Sequence, residues 1–247
     1  MSDTDMAGAA SRLRLALSAP DASTRLQAAL TAGTRPADAY ARVLVGQCRV
    51  EPDFFVRDML TWALTRHDRD TVVELLLPEL DSPIAQARSQ ALHTLSKVGD
   101  PRALPAITVA LLTDADDVVA RNAWRTASGL APDDDRRGAL AVILATQLGR
   151  GDRDLRLSLT QSFQRLGEPS RPALDAVSTD ARPDVRAHAL ATAHLLADPE
   201  ADFDAALREA YGTASPVAAV DVVAAEANVA AAEADTTSDA DTDTTFD

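Results

Sequence analysis

The amino-acid sequence predicts an all-α fold, an α-solenoid of about six stacked helix pairs, and three observations carry that prediction. Six similar phrases recur, each built on an arginine: Thr24-Arg25-Leu26, Val56-Arg57-Asp58, Ala87-Arg88-Ser89, Ala120-Arg121-Asn122, Leu155-Arg156-Leu157 and Val185-Arg186-Ala187. The steps between these arginines are 32, 31, 33, 35 and 30 residues, a period that belongs to stacked supersecondary units. The composition is 46% hydrophobic but only 4% aromatic, with much Ala and Leu, which suits close helix-on-helix packing better than a sheet.

Each arginine stands near the start of an inner helix, and these helices are expected over residues 21–32, 53–67, 84–98, 117–130, 153–166 and 183–196. Outer helices precede them at 7–18, 37–48, 69–81, 101–113, 135–149 and 170–179, and a last helix near 199–211 closes the stack. Gly99-Asp100-Pro101 and Gly167-Glu168-Pro169 put glycine after one helix and proline at the first turn of the next, and Ala197-Asp198-Pro199 repeats the acid-proline start. At about 100° per residue, the positions one before and three and seven after each arginine share one side. That stripe reads Val56, Leu60, Leu64; Ala87, Ala91, Leu95; Ala120, Trp124; Leu155, Leu159, Phe163; and Val185, Ala189, Ala193, and it is the predicted core face.

The arginines fall at the edge of this stripe. An aspartate stands four residues earlier in four units, as Asp21, Asp53, Asp117 and Asp152, a spacing that lets carboxylate and guanidinium meet along one helix or link neighbours. Asp117-Val118-Val119-Ala120-Arg121, Pro183-Asp184-Val185-Arg186-Ala187-His188-Ala189-Leu190 and the run from Ala91 to Pro101 resemble HEAT repeats, in the short form also seen in phycobilisome-lyase-type proteins. The resemblance covers about residues 21 to 200. It implies a right-handed superhelix in which Asp21, Arg25, Asp53, Arg57, Arg88, Asp117, Arg121, Asp152, Arg156 and Arg186 form a structural ladder between units. Ile84 and Arg182 stand where the third and sixth units lack the acid, and Leu26 and Leu30 point outward in an irregular first unit.

In HEAT arrays the inner helices line a concave surface, so the positions one, five, eight and nine after each arginine are the candidate contact residues. They include Trp62 and Arg66, His93 and Lys97, and Gln161 and Arg165, beside Asp58, Ser89, Asn122, Thr126 and Leu157. An aromatic anchor within a basic arc is the residue mixture enriched at interface hot spots, and it suits an acidic or carboxylate-bearing protein or peptide partner. The alternative is that Trp62 packs over a neighbouring helix and the charges form a solvated face.

The formal charge of -14 opposes coating of nucleic acid, although the stretch from Thr213 to Asp247 alone holds eight acids and no Lys or Arg. Cys48 is the single cysteine, so no internal disulfide forms, and no His pair has the spacing of a metal site. No cofactor fingerprint or nucleophile motif is present. The acidic start Met1-Ser2-Asp3-Thr4-Asp5 is unlike a signal peptide and no apolar run approaches membrane-spanning length, so a cytosolic location is expected. Residues 1–212 are read as the solenoid, and 213–247 as an acidic Ala-, Asp- and Thr-rich disordered tail in which Ala218 to Ala234 could form a transient helix.

The expected function is therefore that of a non-catalytic scaffold or adaptor, a monomer in the simplest case, that binds a protein or peptide on its concave face. Competing readings are a regulatory subunit of another enzyme, a bilin-lyase-type enzyme, or a HEAT-like DNA-base glycosylase using Asp58 beside Trp62. The glycosylase reading is opposed by the net charge and by Trp124 falling on the core stripe.

Overall fold

The computed structural model describes residues 3–214, with side chains from 7 to 213, and among these residues every regular element is helical. The inner row runs α2 (Ala22–Thr34), α4 (Phe54–Leu64), α6 (Ala85–Val98), α8 (Asp117–Leu130), α10 (Arg153–Leu166) and α12 (Pro183–Ala197). The outer row holds α1 (Asp3–Leu17), α3 (Tyr40–Cys48), α5 (Arg69–Leu76), α7 (Val109–Leu112), α9 (Asp134–Ala145) and α11 (Arg171–Val177). Successive inner helices pack on one another, α2 on α4, α6 on α8 and α8 on α10, and each also meets the outer row. This is a two-layer α-solenoid.

The inner helices form where the arginine phrases place them because each carries the predicted apolar stripe. Leu60, Leu64, Leu95, Trp124, Leu159 and Phe163 are all buried in one continuous core running between the rows. Each such side chain contributes about 2 kcal/mol of burial. The one large polar atom in that set is satisfied, since Trp124 Nε1 donates to the Leu112 carbonyl at 2.7 Å.

The outer row departs from the expectation at its prolines. In place of one helix over 69–81, α5 stops at Leu76 and a 3₁₀ segment containing Pro78 follows (Leu77–Asp81). The outer element of the fourth unit is a 3₁₀ segment, Pro101–Ala106, and then only the four-residue α7. Pro105 inside that segment has no N–H to donate and its ring excludes a continuous α-helix.

The array ends in α13 (Phe203–Ala214), which starts later than the acid-proline pair Asp198-Pro199 led us to expect, because Asp202 caps it: Asp202 Oδ1 accepts the Ala205 N–H at 2.7 Å. Phe203, Ala206 and Ala210 cover Ala187, Ala191 and Leu195 of α12, and Leu157 of α10 packs against the same small core. Arg153 of α10 pairs with Asp204 at 2.7 Å, while Arg156 Nη1 donates to the Tyr211 hydroxyl at 3.1 Å. Thus α13 turns back across the last two inner helices, and Leu157, expected on the open face, is under it. Of the tail expected over 213–247, Thr213 and Ala214 close α13, and the rest lies outside the described residues.

Candidate functional site

The arginines of the repeat serve the turns that lead into the inner helices. Each of five clamps the carbonyls five to seven residues behind it: Arg25 those of Ala19 and Pro20, Arg57 those of Glu51 and Pro52, Arg88 that of Ser82, Arg156 that of Gly149, Arg186 that of Asp180. The acids four residues earlier do something else. Asp21, Asp53 and Asp152 cap the N-termini of α2, α4 and α10 by accepting the N–H groups of Thr24, of Phe55 and Val56, and of Leu155. Ile84 and Arg182 hold the same cap position in α6 and α12 without a side-chain bond.

The acids that link units were not visible in the arginine phrase. Arg25 makes a two-pronged bond to Glu51 of the next unit, 2.9 Å from Nε and 2.8 Å from Nη2, and the Glu51 residue is 0% exposed. Burial works against this carboxylate's charge, but Arg25, Gln47 and the Asp53 N–H outweigh it and hold the group below its ordinary value. Arg88 grips Asp114 in the same way, at 3.0 and 3.2 Å. Glu51 and Asp114 also accept the N–H of Asp53 and Asp116, two residues on, at 3.0 and 2.9 Å. The recurring Glu51-x-Asp53 and Asp114-x-Asp116 spacing is the signal that would have found them.

Arg121 is the exception. It makes no ion pair among the described residues, and its expected partner Asp117 pairs with Arg150 at 2.6 Å. Arg150 Nη2 also takes the carbonyls of Asp114 and Ala115, at 2.6 and 3.3 Å, while its guanidinium lies over the Trp124 ring, 6.0 Å from the centroid. An arginine from the following turn thus performs the task its own unit's arginine performs elsewhere.

The inner row also uses residues expected to face a partner. Ser89 and Thr126 are buried, with Thr126 Oγ1 donating to the Leu92 carbonyl at 3.0 Å and Asn122 Nδ2 to Ser89 Oγ at 3.0 Å. Thr61 meets Thr94 at 3.2 Å and Thr160 meets Thr192 at 2.8 Å. These bonds form a seam between neighbouring inner helices, so part of the presumed open face is helix contact.

What remains open is a cleft of about 290 Å³ lined by Ser96, Lys97, Arg125, Thr126, Gly129 and Arg165, with Gly99 and Leu130 at its margins. It brings together Lys97 and Arg165, both expected, and Arg125, which the register did not single out. Arg165 Nη1 reaches the Arg125 carbonyl at 3.4 Å, and none of the three cations forms an ion pair among the described residues. His93 stands beside the cleft: burial, then the charges of Lys97 and Arg125, lower its pKa against the pull of Asp58.

Trp62, Arg66 and Gln161 do not line this cleft. Trp62 leaves 39% of its surface exposed, but its ring rests on α2, where a Cβ at Gly33 would collide with it. The absence of a side chain at Gly33 makes room for the indole, so Trp62 is in part a packing residue. Arg66, just past the end of α4, and Gln161 on α10 are exposed.

Elsewhere the chemistry is structural. His188, fully buried, accepts the Gly149 N–H at Nδ1 (3.0 Å), while Nε2 faces Thr160 Oγ1 and the Arg156 carbonyl, each at 3.1 Å. Burial lowers its pKa to about 4. Burial also pushes the Cys48 thiol up to about 12, far from a reactive thiolate. Among the described residues no group of three His, Cys, Asp or Glu side chains could hold a metal ion, and no helix is long and apolar enough to cross a membrane.

Two rows of helices joined by arginine-clamped turns, with a cationic cleft on the inner row, define an α-solenoid. The family model for HEAT repeats matches residues 51–128, a stretch that runs from the turn before α4 into the last turn of α8, and over that stretch the chain is similar to HEAT repeats. Repeats of this family generally serve as protein-interaction scaffolds and are typically non-catalytic. No curated protein matches the chain.

Proposed function

We propose that the protein is a scaffold that holds an acidic segment of a protein partner in the cleft formed by Lys97, Arg125 and Arg165. The observation that carries this reading is that three cations from three successive inner helices, unpaired among the described residues, converge in a chain of formal charge -14. Elsewhere, at the turn edge, arginines such as Arg25, Arg88, Arg102 and Arg153 are taken up by acids. Unpaired cations in a shared cleft attract carboxylates, orient the segment that bears them and speed encounter. His93 and the exposed part of Trp62 extend the same side with hydrogen-bonding and apolar surface.

The test is affinity capture from lysate of the source organism with the full chain, beside a variant carrying Lys97→Glu, Arg125→Glu and Arg165→Glu, and mass spectrometry of what each retains. A protein held by the parent chain and released by the variant supports the cleft. Identical retention by both overturns it.

A further inference from the structure

The cleft between α6, α8 and α10 is small and carries one sign of charge. Lys97, Arg125 and Arg165 line it from successive inner helices, and no acid does. Lys97 and Arg125 make no side-chain hydrogen bond among the described residues, and Arg165 commits only Nη1, to the Arg125 carbonyl at 3.4 Å. With three N–H donors on lysine and five on each arginine, about a dozen are left to serve a ligand. The hydroxyls at the cleft are committed elsewhere: Ser96 Oγ donates to the His93 carbonyl at 2.7 Å, and Thr126 Oγ1 bonds the carbonyls of Asn122 and Leu92 at 2.6 and 3.0 Å.

The cleft is also left open at Gly129. This residue, in the last turn of α8, borders it, and a Cβ there would meet nothing within 4 Å. At Gly33 a Cβ would strike the Trp62 ring, so packing explains that glycine, whereas no neighbour explains a poor helix former at Gly129. Lys97 and Arg165, in the last turns of α6 and α10, offset the negative C-terminal ends of those helices, which would otherwise repel an anion. Arg125, more than a turn before the end of α8, has no such task.

What enters must bring concentrated negative charge. One carboxylate carries a single charge and is satisfied by one two-pronged guanidinium. Two carboxylates on the same side of an extended segment stand roughly 7 Å apart and spread their charge along it. A phosphate monoester brings about two charges and three acceptor oxygens on one group, and arginine forks match its oxygens two at a time. We infer that the cleft, of about 290 Å³, receives a phosphorylated serine or threonine of the partner segment, with Arg125 and Arg165 on its oxygens and Lys97 completing the charge. This occupant presupposes that the cleft is the site for an acidic segment, and specifies the group that enters it. A polynucleotide suits the cleft less, because each phosphodiester has one charge and a chain of formal charge -14 repels a polyanion.

The experiment is fluorescence anisotropy of the full chain at low salt and about pH 7.5, where the phosphate is a dianion. Three fluorescein-labelled peptides are compared, uncharged except at one central position that is phosphoserine, glutamate or serine. The phosphoserine peptide should bind at least about tenfold more tightly than the glutamate peptide, and the serine peptide more weakly than either. Arg125→Lys and Arg165→Lys keep the charge and lose the fork, and each should shrink that ratio at least about threefold. Gly129→Leu fills the open position and keeps all three cations, and it should weaken phosphoserine binding at least about tenfold in a chain that melts like the parent. Equal affinity for the phosphoserine and glutamate peptides overturns the inference and leaves the acidic-segment reading standing, whereas binding of neither overturns both. A phosphoserine preference that all three substitutions leave intact places the phosphate elsewhere and overturns the inference. So does tighter binding of a labelled single-stranded oligodeoxynucleotide than of the phosphoserine peptide, which makes the cleft a nucleic-acid site.

Discussion

The turn edge and the inner face of this solenoid both carry arginines, and they treat them oppositely. At the edge, Arg25 is 9% exposed, bonded to a fully buried Glu51 through Nε and Nη2, with Nη1 on two carbonyls. On the inner face, Lys97, Arg125 and Arg165 border an open cleft and pair with no acid among the described residues. A cation bonded to a buried acid and to turn carbonyls stabilises a joint between repeats. Cations left without an acid among the described residues are the ones on which the proposed binding of an acidic segment rests. At the edge, the acids two residues before the caps of α4 and α8, Glu51 and Asp114, are what Arg25 and Arg88 pair with.

The largest effect is expected where the edge is most buried. Arg25→Ala leaves Glu51 charged and without its main partner, and equilibrium urea denaturation should register a loss of about 4 kcal/mol. Arg88→Ala should cost less, because Asp114 keeps some exposure. Equal, negligible losses in both would break the contrast at its stronger end.

A second edge element responds to acid. His188 holds its imidazole neutral with a folded-state pKa of about 4, whereas the unfolded chain protonates near its ordinary value of 6.5. Between these values the unfolded state binds the extra proton, so stability falls as pH drops from about 6.5 to about 4, by about 3 kcal/mol in all. The full contribution is present above pH 6.5. Denaturation curves over this range should be steeper in pH for the parent chain than for His188→Gln, and identical slopes would contradict the buried neutral histidine.

Smaller effects sharpen the comparison. Arg150→Ala removes charge-assisted bonds to the Asp114 and Ala115 carbonyls and to Asp117, and should lower stability by about 2 kcal/mol. Arg121→Ala, at the arginine of the repeat itself, should stay within about 0.5 kcal/mol. Thermal melts of the two would reverse this order if Arg121 were the working rung. Lys97→Ala, Arg125→Ala and Arg165→Ala should each change stability by less than about 0.5 kcal/mol.

Inner helices were legible almost to the residue, because one strand of information, the apolar stripe beside each arginine, also sets the burial that stabilises them. α8 and α10 run over the expected 117–130 and 153–166. Outer elements were less so, since Pro78 and Pro105 break helices whose apolar content still reads as helical. Lys97 and Arg165 followed from register. Arg125 did not, because the equivalent positions Thr61, Leu92 and Thr160 are buried in the seam and nothing local marks the fourth unit as different. The pairing acids Glu51 and Asp114 sit 26 residues after their arginines, a distance only the stacking of units makes short.

The most direct test of the division between edge and face is fluorescence anisotropy of a fluorescein-labelled oligoglutamate peptide titrated with the full chain at several salt concentrations. Two charge-matched variants are compared: Lys97→Glu, Arg125→Glu, Arg165→Glu in the cleft, and Arg14→Glu, Arg42→Glu, Arg136→Glu at exposed positions elsewhere. Salt-sensitive binding that weakens at least about tenfold in the cleft variant alone, with both variants melting like the parent, is the predicted result. Equal weakening in the two variants, or none in either, would contradict a dedicated acidic-segment site on the inner face.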